Sequence, residues 1–274
     1  MEPRVGRTRF AARLIAGTVA VSALAAAAGC GSGLERIEDS NQIARAVPLG
    51  HRATVALVHR CTARTVTLGS GRAAYAAVVP RQASAHSRPG GGVVVGRLGP
   101  RDVNGLPTVV GVIGARLGAR CAPLWYRVQL STPPNGSTAW VPALALRVYR
   151  VTTRIVVSLS QRRLDLFRAG RRALHVPVTV GAATTPTPVG RFFINERFVL
   201  DDPDGPFGAA ALGLSAHSTV LRDWAEGGPI ALHGTNEPWL IGSAASHGCV
   251  RLRNADILRV LRLAPAGTPV IILG

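Results

Sequence analysis

The chain has 274 residues, 47% of them hydrophobic but only 5% aromatic, with 31 Gly and 19 Pro. That apolar fraction excludes a mostly disordered chain, which could not bury enough surface to offset its ordering entropy, and leaves room for one or two domains plus a leader. The formal charge of +18 invites nucleic acid as a partner, but every basic residue is Arg, the excess is concentrated in the first half, and no DNA- or RNA-reading motif accompanies it.

A basic protein facing an anionic surface such as a cell envelope is the better expectation, with no nucleic-acid partner. The N-terminus agrees. Arg4, Arg7, Arg9 and Arg13 precede an apolar run from Leu14 to Gly29, shorter than the roughly 20 residues of a comfortable membrane span. The run ends in small residues before Cys30, and residues 1–30 resemble a bacterial signal peptide with a lipobox. That resemblance implies cleavage before Cys30, lipidation of its thiol, and residence at the outer face of the cytoplasmic membrane or in the cell wall. Ala27 stands where the lipobox prefers Leu, so ordinary signal-peptidase cleavage after an Ala-x-Ala site is the alternative. Residues 31–51 are polar and irregular and read as a tether.

Over residues 52–148, short β-like runs alternate with turn formers. The runs are Ala53–Val58, Ala73–Val79, Gly92–Leu98, Val109–Ile113 and Trp125–Leu130, broken by Gly99-Pro100, Asn104-Gly105 and Pro133-Pro-Asn-Gly136. This spacing predicts a small β-barrel or sandwich. Trp125-Tyr-Arg-Val128 and Thr138-Ala-Trp140-Val141 resemble the last strands of bacterial SH3-like modules, in which the two tryptophans serve either packing or wall contact. Export bears on the cysteines: Cys61 and Cys121 either form a disulfide or stay buried as small apolar side chains, which leaves Cys249 as the odd thiol.

A second unit, residues 151–274, begins with the strand Thr153–Leu159. Leu164–Phe167, Ala173–Val180 and Gly190–Ile194 continue an antiparallel meander. Pro186 and Pro188 bracket a rigid loop. The Gly/Ala/Pro-rich stretch 201–218 reads as a covering loop, and helical spacing from Asn254 to Leu261 predicts a helix with Asn254 as its N-cap. Thr268–Leu273 closes as a strand. The fold expected is mainly β, with a few short helices.

The chemistry concentrates in Ile230-Ala-Leu-His233-Gly234-Thr235-Asn236 and Ser246-His247-Gly248-Cys249-Val250-Arg251. A thiol attacks as thiolate, and with an ordinary pKa near 8.5 it needs a basic or cationic neighbour. His247 lies two residues away and His233 sixteen residues upstream. Gly248 lets backbone approach a reacting carbonyl and can turn its N–H toward an oxyanion. These parts suit a thiol acyl-transfer site. His217, His233, His247 and Cys249 are also permissible zinc ligands, but their spacing matches no zinc motif and no acid sits beside them, so neither metal nor cofactor is expected.

His233 with Ser246-His247-Gly248-Cys249-x-Arg251 resembles the signature of L,D-transpeptidase (YkuD-type) catalytic domains. Pro186-Thr-Pro-Val-Gly-Arg-Phe192 resembles that family's upstream "TP-G-F" segment, and His233-Gly-Thr-Asn-Glu-Pro-Trp239 its "HGT…PW" run. The resemblance implies Cys249 as nucleophile and His233 as general base/acid, oriented by the Gly234 carbonyl. It implies that Ser246, His247 and Gly248 shape the site, that the Gly248 and Cys249 amides meet the oxyanion, and that Trp239, Thr235 and Asn236 contact substrate. Arg251 either anchors its loop or meets a substrate carboxylate. The implied partners are peptidoglycan stem peptides, joined 3→3 through an acyl-enzyme that carbapenems intercept. Two alternatives accompany this reading: an L,D-carboxypeptidase that uses water as acceptor, and a non-enzymatic cell-wall binding protein.

Overall fold

In a computed structural model of the chain, residues 62–221, 223 and 228–274 are described. The leader, Cys30, the tether, the strand expected at Ala53–Val58 and Cys61 lie outside the described residues. Cys121 is disulfide-bonded, whereas Cys249 is a free thiol. Among the described residues, no helix is long and apolar enough to cross a membrane.

The protein is mainly β, as expected. Its first sheet comprises β1 (Arg64–Thr67), β2 (Ala74–Val78), β3 (Ala83–Arg88), β4 (Gly91–Leu98), β5 (Val109–Leu117), β6 (Pro123–Gln129), β7 (Thr138–Pro142) and β8 (Arg147–Val151). The order is β4-β3-β7-β6-β5-β2-β8, with β1 also on β5 and every pair antiparallel. Its core is built from small and branched side chains, including Ala77, Ala85, Val110, Val112, Val128 and Val141, as the scarcity of aromatics requires. Ala83–Arg88 and Arg147–Val151 add strands beyond the runs picked out by composition; in the first of them, Ala and Ser at alternate positions carry little apolar contrast.

The second sheet begins one residue later. It contains β9 (Thr153–Ser158), β10 (Arg163–Arg168), β11 (Arg171–Pro177), β13 (Gly190–Val199), β14 (Ala210–His217), β15 (Pro229–His233), β17 (Val250–Arg251) and β18 (Pro269–Leu273). A parallel pair of β12 (Val180–Gly181) and β16 (Ala244–Ser246) forms a separate small sheet. The large sheet runs β11-β10-β9-β18-β13-β14-β15-β17. Period-2 alternation fixes its inner face: Ile155 and Val157, Leu164 and Leu166, Leu174 and Val176, and Val270 and Ile272 are all buried in one core.

Two expectations fail here. Residues 210–217 are a central strand rather than part of a covering loop, because Ala210, Leu212, Leu214 and Ala216 alternate into the core despite the Gly/Ala-rich composition. The helix α1 (Asn254–Leu263) has Arg253 as its N-cap, with no side-chain capping bond, so Asn254 is its first helical residue. Ile257, Val260 and Leu261 form its buried face, and Pro265 follows its C-cap at Ala264.

At Phe192–Ile194, strand β13 is buried on both faces. Phe192 and Ile194 enter the core of the second sheet, while Phe193 turns toward the first sheet and meets Gly111, its Cδ1 3.1 Å from where a Cβ there would lie. Around this contact Gln129 Nε2 donates to the Arg191 carbonyl at 2.5 Å, Tyr149 Oη to the Ala266 carbonyl at 2.9 Å, and Asn135 exchanges two 2.8 Å bonds with the His217 backbone. The two sheets therefore brace each other. Phe193→Ala is expected to cost about 3–5 kcal/mol, because the cavity opens between two rigid sheets. Urea unfolding reads this as a lower midpoint, and a loss below about 1 kcal/mol would mean that the sheets do not depend on each other.

Candidate active site

Strands β15 and β17 run parallel, with Leu232 opposite Val250 and His233 opposite Arg251. Leu232 and Val250 are fully buried on the core side. Side-chain alternation then sends Ala231 and His233 to the other face, together with Cys249 and Arg251 from the neighbouring segment. The Ala231 N–H donates to Cys249 Sγ at 3.4 Å, which fixes the sulfur beside β15. The structure thus brings Cys249 and His233 onto one face, a diagonal step apart, with Cys249 half-buried.

His233 is 3% exposed. Its Nδ1 lies 2.6 Å from the Gly234 carbonyl, which can only accept, so Nδ1 carries the proton and Nε2 keeps its lone pair. The Phe207 ring meets the imidazole edge-on, with centroids 5.0 Å apart at 66°. Burial depresses the imidazole pKa to about 4. The Gly234 carbonyl opposes that shift, the Arg251 charge adds to it, and the Phe207 carbonyl opposes it weakly. Burial likewise pushes the Cys249 thiol above its ordinary value, against the Ala231 amide and Arg251. At neutral pH both groups therefore rest uncharged, an arrangement suited to proton transfer during attack rather than to a standing thiolate–imidazolium pair.

Ser246 is buried and organises the turn before the sulfur. Its hydroxyl donates to the Cys249 carbonyl at 2.6 Å and accepts the Gly248 N–H at 3.2 Å. Gly248 sits at φ +115°, where an added Cβ would lie 3.0 Å from Ile230 Cδ1. Its amide is engaged by Ser246, so of the two N–H groups expected at the oxyanion the Cys249 amide is the one to consider. Beneath this turn lies the loop bracketed by Pro186 and Pro188: Thr185 Oγ1 donates to the Ser246 carbonyl at 3.0 Å, and Thr187 Oγ1 accepts the Gly181 N–H at 2.8 Å. A cavity of about 320 Å³ lined by Leu159, Arg162, Val180, Pro186 and Ala244 adjoins that loop. Neither Cys249 nor His233 lines it, so it neighbours that pair without including them.

The remaining site residues separate by exposure. His247, Asn236 and Trp239 are exposed, Trp239 at 74%. Thr235 is buried, its amide donating to Asn254 Oδ1 and its Oγ1 accepting the Glu237 N–H, so it acts as a turn former rather than the expected substrate contact. Arg251 pairs with Glu237 at 2.6 Å, and its backbone exchanges two 2.9 Å bonds with Thr179. Its Nε is buried with no partner among the described residues. Arg251 is thus tied to the segment after His233, and its charge bears on both the imidazole and the thiol. Among the described residues no three His, Cys, Asp or Glu side chains converge as a metal site. Sequence reasoning missed Asn254, whose side chain reaches Ala209 and Thr235, because an Asn at a helix start reads first as a cap.

A family model described as the YkuD L,D-transpeptidase catalytic domain matches residues 152–272. The YkuD protein of Bacillus licheniformis is 40% identical over 119 residues, covering 43% of this chain and 64% of its own length. That of Bacillus subtilis is 36% identical over 124 residues, covering 45% and 68%. The names of both refer to L,D-transpeptidase. The chain spans about two thirds of the length of these relatives, and 52% of the ErfK/SrfK protein of Salmonella typhimurium, to which it is 30% identical. Among solved structures, the L,D-transpeptidase from Mycobacterium smegmatis is 15% identical, over 61% of this chain and 90% of that one, at a TM-score of 0.36. A superposition that loose carries no argument. The family model, matched over the unit that holds the shared face of Cys249 and His233, and the relative matched over more than two thirds of its length agree: this chain belongs to the L,D-transpeptidase family through a YkuD-type catalytic domain.

Proposed function

We propose that the protein is a peptidoglycan L,D-transpeptidase that forms 3→3 cross-links through a thioester on Cys249. The supporting observation is the shared face of β15 and β17, where a sulfur and an imidazole with its Nδ1–H committed to Gly234 project from adjacent strands. His233 Nε2 takes the thiol proton as the sulfur attacks the carbonyl of the third, diamino-acid residue of a tetrapeptide stem. The Cys249 N–H steadies the oxyanion. The bond to the terminal D-Ala breaks, and the imidazolium returns its proton to the departing amine. The amine of a neighbouring stem then attacks the thioester and loses its proton to His233; the carbon–sulfur bond breaks and the imidazolium returns that proton to the departing sulfur, giving the new amide and the free thiol. Water in place of that amine makes the same site a carboxypeptidase.

The leader and Cys30 support export and lipid anchoring at the outer face of the cytoplasmic membrane. The test of function is mass spectrometry of a purified tetrapeptide stem incubated with the protein. A cross-linked dimer with release of D-Ala is the expected product. A tripeptide alone would establish the carboxypeptidase instead, and an unchanged tetrapeptide would remove both reactions.

A further inference from the structure

Two backbone segments cross beside His233 with glycine facing glycine. Gly208, at φ +63°, and Gly234 lie so close that a Cβ on either would strike Asn254 Oδ1. At this crossing the Asn254 carboxamide joins three points: Oδ1 accepts the Ala209 N–H at 3.2 Å and the Thr235 N–H at 3.1 Å, and Nδ2 donates to the Pro203 carbonyl at 2.9 Å. Asn254 opens α1, which Ile257, Val260 and Leu261 hold in the core. One rigidly mounted amide therefore ties the 203–209 segment, which carries the Phe207 ring, to the 233–235 turn, which carries the carbonyl that accepts the imidazole Nδ1–H. A capping role does not account for the side chain: Asn254 is the first helical residue, after the N-cap Arg253, and its carboxamide reaches back over two other segments.

We propose that Asn254 is the positioning residue of the general base: its carboxamide clasps the Phe207 segment against the His233–Thr235 turn, which holds the imidazole dry and in the tautomer that accepts the Cys249 proton. The proposal rests on His233 acting as that base. The groups acting on the imidazole are the Arg251 charge from the adjacent strand, on the face that also carries Cys249, the Phe207 ring and carbonyl from the clasped segment, and the Gly234 carbonyl from its own turn. Only the Phe207 and Gly234 segments are bonded to Asn254, so loss of the clasp admits water to the ring while leaving the Arg251 charge in place.

The test is an NMR titration of the histidines in wild type, Asn254→Ala, Asn254→Asp and Phe207→Ala, with His233→Gln identifying the resonance. It is paired with kcat and KM for the tetrapeptide and with the rate of Cys249 acylation by a carbapenem. Asn254→Ala is expected to raise the His233 midpoint by about one unit or more and to lower kcat about tenfold, with KM within about twofold. Asn254→Asp keeps an acceptor for both amides and should retain kcat within roughly threefold. Phe207 is 54% exposed, so Phe207→Ala cannot unfold the core, and it should raise the midpoint in the same direction. An unchanged midpoint in folded Asn254→Ala overturns the proposal, as does an Asp variant as impaired as the Ala variant. If Asn254→Ala does not fold, an unchanged midpoint in Phe207→Ala overturns it. The titration needs no turnover: a protein that leaves the tetrapeptide unchanged would remove the reaction, while the midpoints would still decide whether Asn254 controls the imidazole.

Discussion

Replacing Cys249 with alanine is expected to abolish both cross-linking and acylation by carbapenems, a loss of about 10⁴-fold or more in rate. No other group can take over. The His233 imidazole is buried with its Nδ1–H held by the Gly234 carbonyl, and Ser246, the nearest hydroxyl in sequence, is buried and spends its proton on the Cys249 carbonyl. The fold should survive, because Cys249 is only half-buried and its thiol is held by a 3.4 Å contact from the Ala231 amide. Thermal melting within a few degrees of wild type is expected, since a small truncation at a half-buried position costs about 1 kcal/mol. Cys249→Ser should be nearly as inactive: a hydroxyl is far less acidic than a thiol, and a base whose pKa is near 4 is too weak to draw its proton. Intact-mass measurement after carbapenem treatment decides the matter, and an adduct on the alanine variant would refute the assignment of the nucleophile.

Much of this site is legible in the sequence. A cysteine preceded by His-Gly, with a second histidine sixteen residues upstream, offers a thiol and two candidate imidazoles for acyl transfer, and the resemblance to the L,D-transpeptidase signature is what singles out His233. What no local pattern carried was the parallel pairing that aligns Leu232 with Val250 and so places His233 and Cys249 on one face. Parallel register is set by the sheet as a whole, here by α1 and the order β14-β15-β17, and not by the two residues between Gly248 and Arg251. The misread elements share a cause. In β14 the alternating residues that enter the core are as small as alanine, so composition suggested a loop while period and burial made a strand. Asn254 reads locally as a cap, but its oxygen found better-placed donors on two segments distant in sequence. Tertiary partners overrode local preference in both instances. They did so beside the reacting pair, where backbone must be brought close regardless of its intrinsic tendencies.

The buried imidazole makes a quantitative claim about acidity. In the free enzyme His233 stays neutral down to about pH 4, so kcat/KM, which reports the free enzyme, is expected to hold its plateau through pH 6 and fall only as pH approaches 4. An ordinary exposed histidine would already have lost half its activity near pH 6.5. The same displacement has a consequence for stability. The folded pKa is depressed, so between about 6.5 and 4 the unfolded chain takes up a proton that the native protein refuses. Stability contributed by this residue is thus fully present above about 6.5, drains away as pH falls toward 4, and levels off below that, for a total of roughly 3 kcal/mol. His233→Gln removes the titrating group. It should flatten that part of the pH–stability curve while lowering turnover about 10²–10⁴-fold at neutral pH. Urea midpoints measured from pH 7.5 to 4.5 on both proteins separate this residue from every other titrating group in the chain. Parallel curves would mean that the imidazole is as hydrated in the folded protein as in the unfolded one. The burial that keeps both reacting groups uncharged at rest would then not exist, and proton transfer would have to start from a preformed ion pair, with an activity profile falling on its acid side near pH 6.5 instead of 4.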